Sequence, residues 1–111
     1  MATSKVSSPT ANRSGTITAE TGLTISNATC VANDTVVNLY GEISGTFPAN
    51  SYIATVSEGF RPKTAQRVLA RFQYSSGLVV TYATVETTGR IKLSYGGTNI
   101  SLCVFMGTIV L

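Results

Sequence analysis

The chain has 111 residues, of which 43% are apolar and only 12% charged, and its formal net charge is +3. This is the length of a single domain, and the composition is too apolar for a disordered chain. The basic residues are too scattered for a nucleic-acid-binding surface, which is usually a dense patch interleaved with aromatic residues. The low charge favours a β-protein of short strands, or a protein that hides part of its surface in an oligomer.

The first 14 residues are rich in Ser, Thr, Ala and Asn, which is typical of a flexible arm or linker. They lack the apolar core of a signal peptide, and no run approaches the roughly 18 apolar residues of a membrane span. We therefore expect a soluble protein with an arm at residues 1–14 and a folded domain at residues 15–111.

From residue 15 onward, short β-type runs alternate with turn residues, and no window has a sustained helical period. The first runs are 16–20, 23–26 and 29–32. The turn signal Asn33-Asp34 then leads into the clearest strand, 35–46, in which apolar and polar residues alternate. Strand 51–57 follows and ends at a turn containing Pro62, which has no N–H to join a ladder.

The second half of the chain alternates equally well. Residues 68–74 place Leu69, Arg71 and Gln73 on the face opposite the apolar residues. Short glycine-containing hairpins at 75–77, 86–89 and 96–99 predict a four-stranded antiparallel meander that ends in strand 100–111. With eight or nine strands, the chain is predicted to be all-β: a small antiparallel sandwich or barrel with jelly-roll or Greek-key connections.

The last strand is apolar on both faces. Leu102, Val104 and Met106 share one face, while Cys103 and Phe105 share the other. A half-exposed strand should alternate between apolar and polar residues. Either something outside the domain covers the second face, which favours an oligomer, or the strand is central in the sandwich.

The sequence offers little for catalysis or metal binding. It has no histidine, so Ser-His-Asp and Cys-His arrangements are impossible, and its five acidic residues are far apart. Cys30 and Cys103 lack the further ligands that a zinc site needs. We therefore expect no enzymatic activity, no cofactor and no metal, with both thiols reduced and buried. The five tyrosines either pack on the sheet or offer flat faces and hydroxyls to sugar rings.

Three stretches between Val36 and Gly97 carry a family resemblance: VVNLYGEISGTFP, SYIATVSEGFRPKTAQRVLARF and GRIKLSYGG. The most specific piece is the turn Phe60-Arg61-Pro62, followed by an apolar strand. The pattern resembles the C-terminal head domain of receptor-binding proteins from tail tips and baseplates of siphophages that infect lactococci and related Gram-positive bacteria. The turn after Pro62 and the hairpin at Gly89 lie at positions along the chain where that family also has a turn and a hairpin.

This resemblance implies a small β-barrel or sandwich that trimerises in the virion, at the tail tip or baseplate, after assembly in the host cytoplasm. The rest of the tail would attach through the N-terminal side. The ligand it implies is a cell-wall or pellicle saccharide, often glycerol-phosphate-bearing, with neither nucleic acid nor membrane as a partner. Family members bind it with Trp, His, Asp and Arg on the strands flanking the hairpin, whereas this chain has no Trp and no His.

The corresponding strands of this chain offer Arg71, Tyr82, Lys92 and Tyr95, with Tyr40 and Tyr74 in reserve. Antiparallel pairing about the hairpin should set Tyr82 opposite residues 91–95. Arg61 is expected to be a turn residue that holds backbone carbonyls. A saccharide-binding head domain is therefore the leading hypothesis, and a structural virion module without glycan binding is the alternative.

Overall fold

A computed structural model describes residues 12–46, 51–74, 77–94 and 100–111 of the chain. Within these ranges all regular secondary structure is β, which confirms the predicted fold class. The nine strands are β1 (Arg13–Ser14), β2 (Ile17–Ala19), β3 (Thr24–Asn33), β4 (Val36–Ser44), β5 (Tyr52–Val56), β6 (Gln66–Tyr74), β7 (Gly77–Val85), β8 (Arg90–Leu93) and β9 (Ile100–Val110).

The strands form one curled antiparallel sheet, a half-barrel, in the order β1-β3-β4-β9-β6-β7-β8-β5-β2. Strands β6, β7 and β8 form the predicted meander, but β9 returns to lie beside β6, which is the Greek-key order. The predicted pairing of β8 with β9 is wrong, because β4 and β6 occupy both edges of β9. The predicted turn at 96–99 lies outside the described residues.

The N-terminal segment draws the two margins of the sheet together. β1 pairs with β3, and after Gly15 and Thr16 the chain crosses over so that β2 pairs with β5. The Gly15 N–H donates to the Cys30 carbonyl at 2.8 Å, and the Ser57 N–H donates to the Thr16 carbonyl at 2.9 Å. The sheet therefore begins at Arg13, inside the predicted arm, whose residues 1–11 lie outside the described part.

The two runs predicted at 23–26 and 29–32 are a single strand, β3. Its register with β4 shifts between Ile25 and Asn27, so the predicted break is a β-bulge rather than a turn. The turn signal at Asn33-Asp34 is confirmed, since Asp34 has a φ of 59°, a left-handed conformation that aspartate tolerates better than most residues.

The core lies on the concave face of the sheet, and the predicted alternation of β4 and β6 supplies much of it. At the centre, Phe105 of β9 is aligned with Gly41 of β4, where any Cβ would overlap the Phe105 ring. Glycine is therefore required for the ring to lie across β4. The largest side chains with no measurable exposure are Phe105, Ile43, Ile53, Ile91, Leu93, Ile109, Val37, Val56 and Val85.

Both cysteines are free and buried on the core side of the sheet. Cys30 is aligned with Leu39 of β4, and Cys103 is aligned with Ile43 of the same strand. Two strand spacings and four residues along the strands thus separate them, on the order of 15 Å by ordinary sheet dimensions. A disulfide needs Cα atoms within about 7 Å, so this fold cannot join the two cysteines.

We expect both thiols to react with a thiol reagent only after the chain unfolds. Burial raises the pKa of Cys103 to about 12 and also raises the pKa of Cys30, so the native chain carries almost no reactive thiolate at pH 8. Titration with and without denaturant measures this. Rapid reaction of the native chain, or a native mass two protons too low, would contradict it.

The raised pKa of Cys103 also predicts how the stability of the domain changes with pH. An unfolded thiol ionises near pH 9, whereas native Cys103 keeps its proton until about pH 12. In that window the folded chain binds a proton that the unfolded chain has lost. Stability therefore falls as pH rises from about 9 towards 12.

Candidate functional site on the outer sheet face

The predicted site residues that the structure describes lie on the outer, convex face of the sheet. Successive side chains of a strand point to opposite faces. Because Ala70 and Phe72 are buried, Arg71 faces outward; buried Ala83 likewise sets Tyr82 outward, and buried Ile91 and Leu93 set Lys92 outward. The alternation that the sequence predicts for residues 68–74 thus holds at Arg71, and the structure adds that Tyr82 and Lys92 share its face.

Arg71, Tyr82 and Lys92 lie on a diagonal across β6, β7 and β8. Arg71 is aligned with Val80, two residues before Tyr82, and Lys92 is aligned with Thr84, two residues after it. Such diagonal neighbours are roughly 7–8 Å apart. The three side chains are therefore near one another, but each has its own set of contacts.

The predicted register of Tyr82 is confirmed. The Tyr82 carbonyl accepts a hydrogen bond from the Ser94 N–H at 3.2 Å and another from Ser94 Oγ at 2.7 Å. Tyr82 thus lies opposite residue 94, inside the expected range of 91–95.

The ring of Tyr82 is paired with a cation that the sequence analysis did not assign to the site. The guanidinium carbon of Arg67 lies 4.1 Å from the Tyr82 ring centroid, a cation–π contact. The side chain of Tyr82 is still 37% exposed. The alternation along β6 that placed Arg71 outward also places Arg67 outward, and this was the signal that could have found it.

Lys92 belongs to a second group of side chains, which we call the Tyr52 cluster: Tyr52, Glu86, Arg90, Lys92 and Glu20. The Lys92 Nζ lies 5.5 Å from the Tyr52 ring centroid, and the Arg90 guanidinium carbon lies 3.7 Å from it. Arg90 also forms an ion pair with Glu20 at 2.8 Å. No local pattern in the sequence predicts this cluster, because it depends on the long-range pairing of β5 with β8.

The hydroxyl of Tyr52 is held by the carboxylate of Glu86, to which it donates at 2.9 and 3.0 Å. This hydrogen bond is the main reason that the pKa of Tyr52 is raised. Since Glu86 lies at the start of the predicted 86–89 hairpin, the contact attaches that hairpin to β5. The cluster therefore stabilises this end of the sheet. The ammonium group of Lys92 is part of it, through its contact with the Tyr52 ring.

Arg71 has apolar surroundings. It lies between Val104 of β9 and Val80 of β7, with Leu69 next along its own face of β6. Among the described residues, it makes no hydrogen bond and no ion pair. Its positive charge partly offsets the rise in the pKa of Tyr40, whose hydroxyl donates to Glu42 on the far side of β9.

A small cavity adjoins Arg71 and is also lined by Leu78, Leu102 and Val104. Its volume is about 50 Å³. Water occupies about 30 Å³ per molecule in the liquid, whereas small-molecule pockets usually measure about 300–1,000 Å³. This cavity is too small for a sugar ring, so any saccharide bound near Arg71 must lie on an open surface or between chains.

The two reserve tyrosines, Tyr40 and Tyr74, lie in β4 and β6. Tyr40 lies on the outer face of β4, and its hydroxyl donates to the Glu42 carboxylate, which raises the pKa of Tyr40. Tyr74 is the last residue of β6, aligned with Gly77. Tyr95 lies outside the described residues.

Arg61 has the structural role that the sequence predicts. Its Nε donates to the Val56 carbonyl at 3.0 Å, and its side chain lies over Gly89 of the hairpin. The Val56 N–H in turn donates to the Gly89 carbonyl at 2.8 Å. The turn after β5 and the β7–β8 hairpin are thus locked together.

No protein-family model matches the chain, and no significant sequence match was found among well-characterised proteins. In the described ranges, no three His, Cys, Asp or Glu residues are grouped so that they could hold a metal ion. The same ranges contain no helix with the length and hydropathy of a membrane span. The geometry of the outer face is therefore the basis for assigning a function.

Proposed function

We propose that the chain is the receptor-binding head domain of a phage tail, which acts as a trimer and binds a phosphate-bearing saccharide of the bacterial surface. The observation that carries the proposal is an exposed aromatic ring that is paired with one cation and has a second cation on the neighbouring strand. Tyr82 lies beside Arg67, with Lys92 on the next strand. The coupling of Arg61 to Gly89 also supports it, since the family resemblance rests on that turn and that hairpin.

This arrangement suits the proposed ligand chemically. A tyrosine offers a flat apolar face to a sugar ring, and its hydroxyl can bond the ring substituents. Arginine and lysine bind phosphate oxygens, and arginine does so with two parallel hydrogen bonds. On an open surface each contact is weak, and three copies binding at once raise the overall affinity.

A structural virion module is the second candidate, and one observation favours it. The hydroxyls of Tyr40 and Tyr52 and the guanidinium of Arg90 already have partners within the chain. Groups satisfied in this way stabilise a sheet but contribute less to a ligand. This candidate predicts that the intact domain binds no glycan.

Binding to host cell-wall fractions and a glycan array separates the two candidates. We expect the wild-type domain to bind glycerol-phosphate-bearing saccharides, and Tyr82→Ala and Lys92→Ala each to weaken binding about tenfold, the loss of roughly 1.4 kcal/mol. Tyr82→Phe, which keeps the ring, should lose less. Circular dichroism and thermal unfolding verify that each variant is folded.

The possible results point in different directions. A folded wild-type domain that binds none of these fractions supports the structural module. Wild-type binding that survives both Tyr82→Ala and Lys92→Ala places the saccharide site elsewhere on the domain.

A further inference from the structure

The small cavity beside Arg71 lies on the outer face of β9, β6 and β7. Its lining residues come from these three strands: Arg71, Phe72, Gln73, Leu78, Leu102 and Val104. Arg71 is aligned with Val104 of β9. Gln73, two residues further along β6, is aligned with Leu102 of β9 and with Leu78 of β7. The cavity therefore lies where two adjacent cross-strand rows of side chains meet, at positions that the strand register fixes.

Val104 forms the floor of the cavity. Its neighbours Cys103 and Phe105 belong to the core, so the Val104 side chain points to the outer face. Even so, Val104 is only 5% exposed, and it does not belong to the core cluster. Side chains around it must therefore rise above it on the outer face, which leaves a depression with an apolar floor.

The walls of the cavity combine apolar and polar groups. Leu78 and Leu102 are apolar, whereas Arg71 and Gln73 bring a guanidinium and a side-chain amide. In the described ranges the Arg71 guanidinium makes no hydrogen bond and no ion pair, and it acts on Tyr40 only through its charge. Its N–H donors are therefore available to a ligand. The cavity suits a group that is apolar at its tip and carries a hydrogen-bond acceptor beside it.

The volume limits the size of that group. A cavity of about 50 Å³ has room for one or two water-sized groups, since a water molecule occupies about 30 Å³ in the liquid. Water gains little from the apolar side chains here, and an apolar group that displaces poorly held water gains affinity. An acetyl group has the required size, with a methyl carbon at its tip and a carbonyl oxygen beside it.

We propose that this cavity is a subsite for the acetyl group of an acetylated sugar. The methyl carbon enters among Leu78, Leu102 and Val104, and the carbonyl oxygen accepts a hydrogen bond from Arg71. That the sugar belongs to a bacterial surface rests on the proposed function, whereas the preference for an acetyl group follows from the cavity alone.

The remainder of the sugar has a surface on which to lie. Val80, which is 64% exposed, is aligned with Arg71 and lies between Leu78 and Tyr82 on the outer face of β7. Tyr82 is a diagonal neighbour of Arg71, roughly 7–8 Å away. A sugar ring over Val80 can therefore contact Tyr82 while its acetyl group enters the cavity. Arg71 then recognises a carbonyl oxygen, while the phosphate of the proposed ligand remains with Arg67 and Lys92.

Nuclear magnetic resonance titration of the wild-type chain tests the subsite. The probes are the methyl glycosides of N-acetylglucosamine, N-acetylgalactosamine and N-acetylmannosamine, each compared with its parent hexose, which has a hydroxyl in place of the acetamido group. At least one N-acetyl sugar should bind about tenfold or more tightly than its parent, because a methyl-sized group that fits an apolar pocket contributes at least this much. It should also shift the methyl signals of Leu78, Leu102 and Val104.

Saturation transfer from the protein gives the same answer from the side of the ligand. The acetyl methyl protons should receive more saturation than the ring protons, because they lie inside the cavity. The absence of shifts at the cavity methyl groups with all three N-acetyl sugars would overturn the proposal, as would equal affinities for the N-acetyl sugars and their parents.

N-propionyl analogues of the same sugars test the fit, because they add one methylene group. In the wild type they should bind about tenfold more weakly than the N-acetyl sugars. Leu78→Ala removes one wall and should bring the two affinities close together. Leu69→Ala is the matched control, since Leu69 is 51% exposed on the same face but does not line the cavity. It should keep the preference, and a preference that Leu78→Ala also keeps would overturn the proposed position of the methyl group.

Arg71→Met tests the hydrogen bond to the carbonyl oxygen. Methionine keeps an apolar stem of similar shape but has no N–H donor. The variant should therefore lose most of the preference for the N-acetyl sugar over its parent hexose. Circular dichroism verifies that it is folded. A folded variant that keeps the full preference would overturn the role of Arg71.

Two results separate this inference from the proposed function. Suppose that the wild type binds glycerol-phosphate-bearing saccharides through Tyr82 and Lys92 but does not distinguish N-acetyl sugars from their parents. The acetyl subsite then fails and the proposed function stands. Conversely, an acetyl preference that depends on Leu78 and Arg71, without binding to host cell-wall fractions, keeps the subsite and counts against the proposed function alone.

Discussion

Replacing Phe105 with alanine is expected to lower the free energy of unfolding by about 3–5 kcal/mol, a large part of the roughly 5–15 kcal/mol of a typical domain. Phe105 has no measurable exposure and lies on β9, which has a neighbouring strand on each side. Its ring covers Gly41, so removing it leaves a cavity that backbone on the far side cannot readily fill. Urea unfolding measures the change.

Two controls identify the cause of the Phe105 effect. Leu78→Ala removes an apolar side chain that is 55% exposed and should change stability by about 0.5 kcal/mol or less. Gly41→Ala should destabilise the wild type, because the new methyl group overlaps the Phe105 ring. In the Phe105→Ala background that methyl group enters the space that the ring has left. The double variant should therefore lose less free energy of unfolding than the sum of the losses of the two single variants. Additive costs would show that the ring does not depend on Gly41.

Gly89→Ala is expected to destabilise the domain by about 2–4 kcal/mol, for two independent reasons. Gly89 has a φ of 88°, and left-handed backbone costs a residue with a side chain about 1–2 kcal/mol. In addition, a Cβ at Gly89 would lie 2.7 Å from the Val56 carbonyl oxygen and would overlap the Arg61 side chain. The substitution therefore separates the hairpin from the turn after β5, and urea unfolding measures the loss.

Gly59→Ala is a matched control for Gly89→Ala. Gly59 has a similar φ of 93°, but a Cβ there has nothing within 4 Å. It should therefore show only the backbone cost, and the difference between the two variants measures the contact between turn and hairpin. Equal losses at both glycines would show that Arg61 and Val56 adjust freely, and would remove the argument that this contact is rigid.

The sequence predicted that Arg71 lies on the face of β6 opposite Val68, Ala70 and Phe72, but not what it contacts. Alternation along β6 is a local property, and Ala70 and Phe72 are buried as it predicts. The contacts of the site residues depend on strands that are distant in the sequence: Lys92 on Tyr52 of β5, and Arg71 on Val104 of β9. A pattern of period two does not identify the neighbouring strand.

The last strand illustrates the same limit. Two readings of its apolar faces were open, a central strand or a strand covered from outside the domain. β9 is central in the sheet, with Phe105 facing the core, yet Met106 on its other face is 39% exposed. The strand is thus central, but the described part of the chain leaves its outer face partly open.

By itself the sequence determined the all-β class, most strand positions, the alternation of β4 and β6 and the turns at Asp34 and Gly89, because side-chain alternation and turn chemistry act over a few residues. Only the tertiary structure decided that β9 lies between β4 and β6 and that β1 and β2 draw the margins of the sheet together. Those pairings join residues tens of positions apart, and every apolar strand satisfies the same local pattern. Which strands become neighbours is therefore decided by how all the buried faces pack at once, as Phe105 does over Gly41.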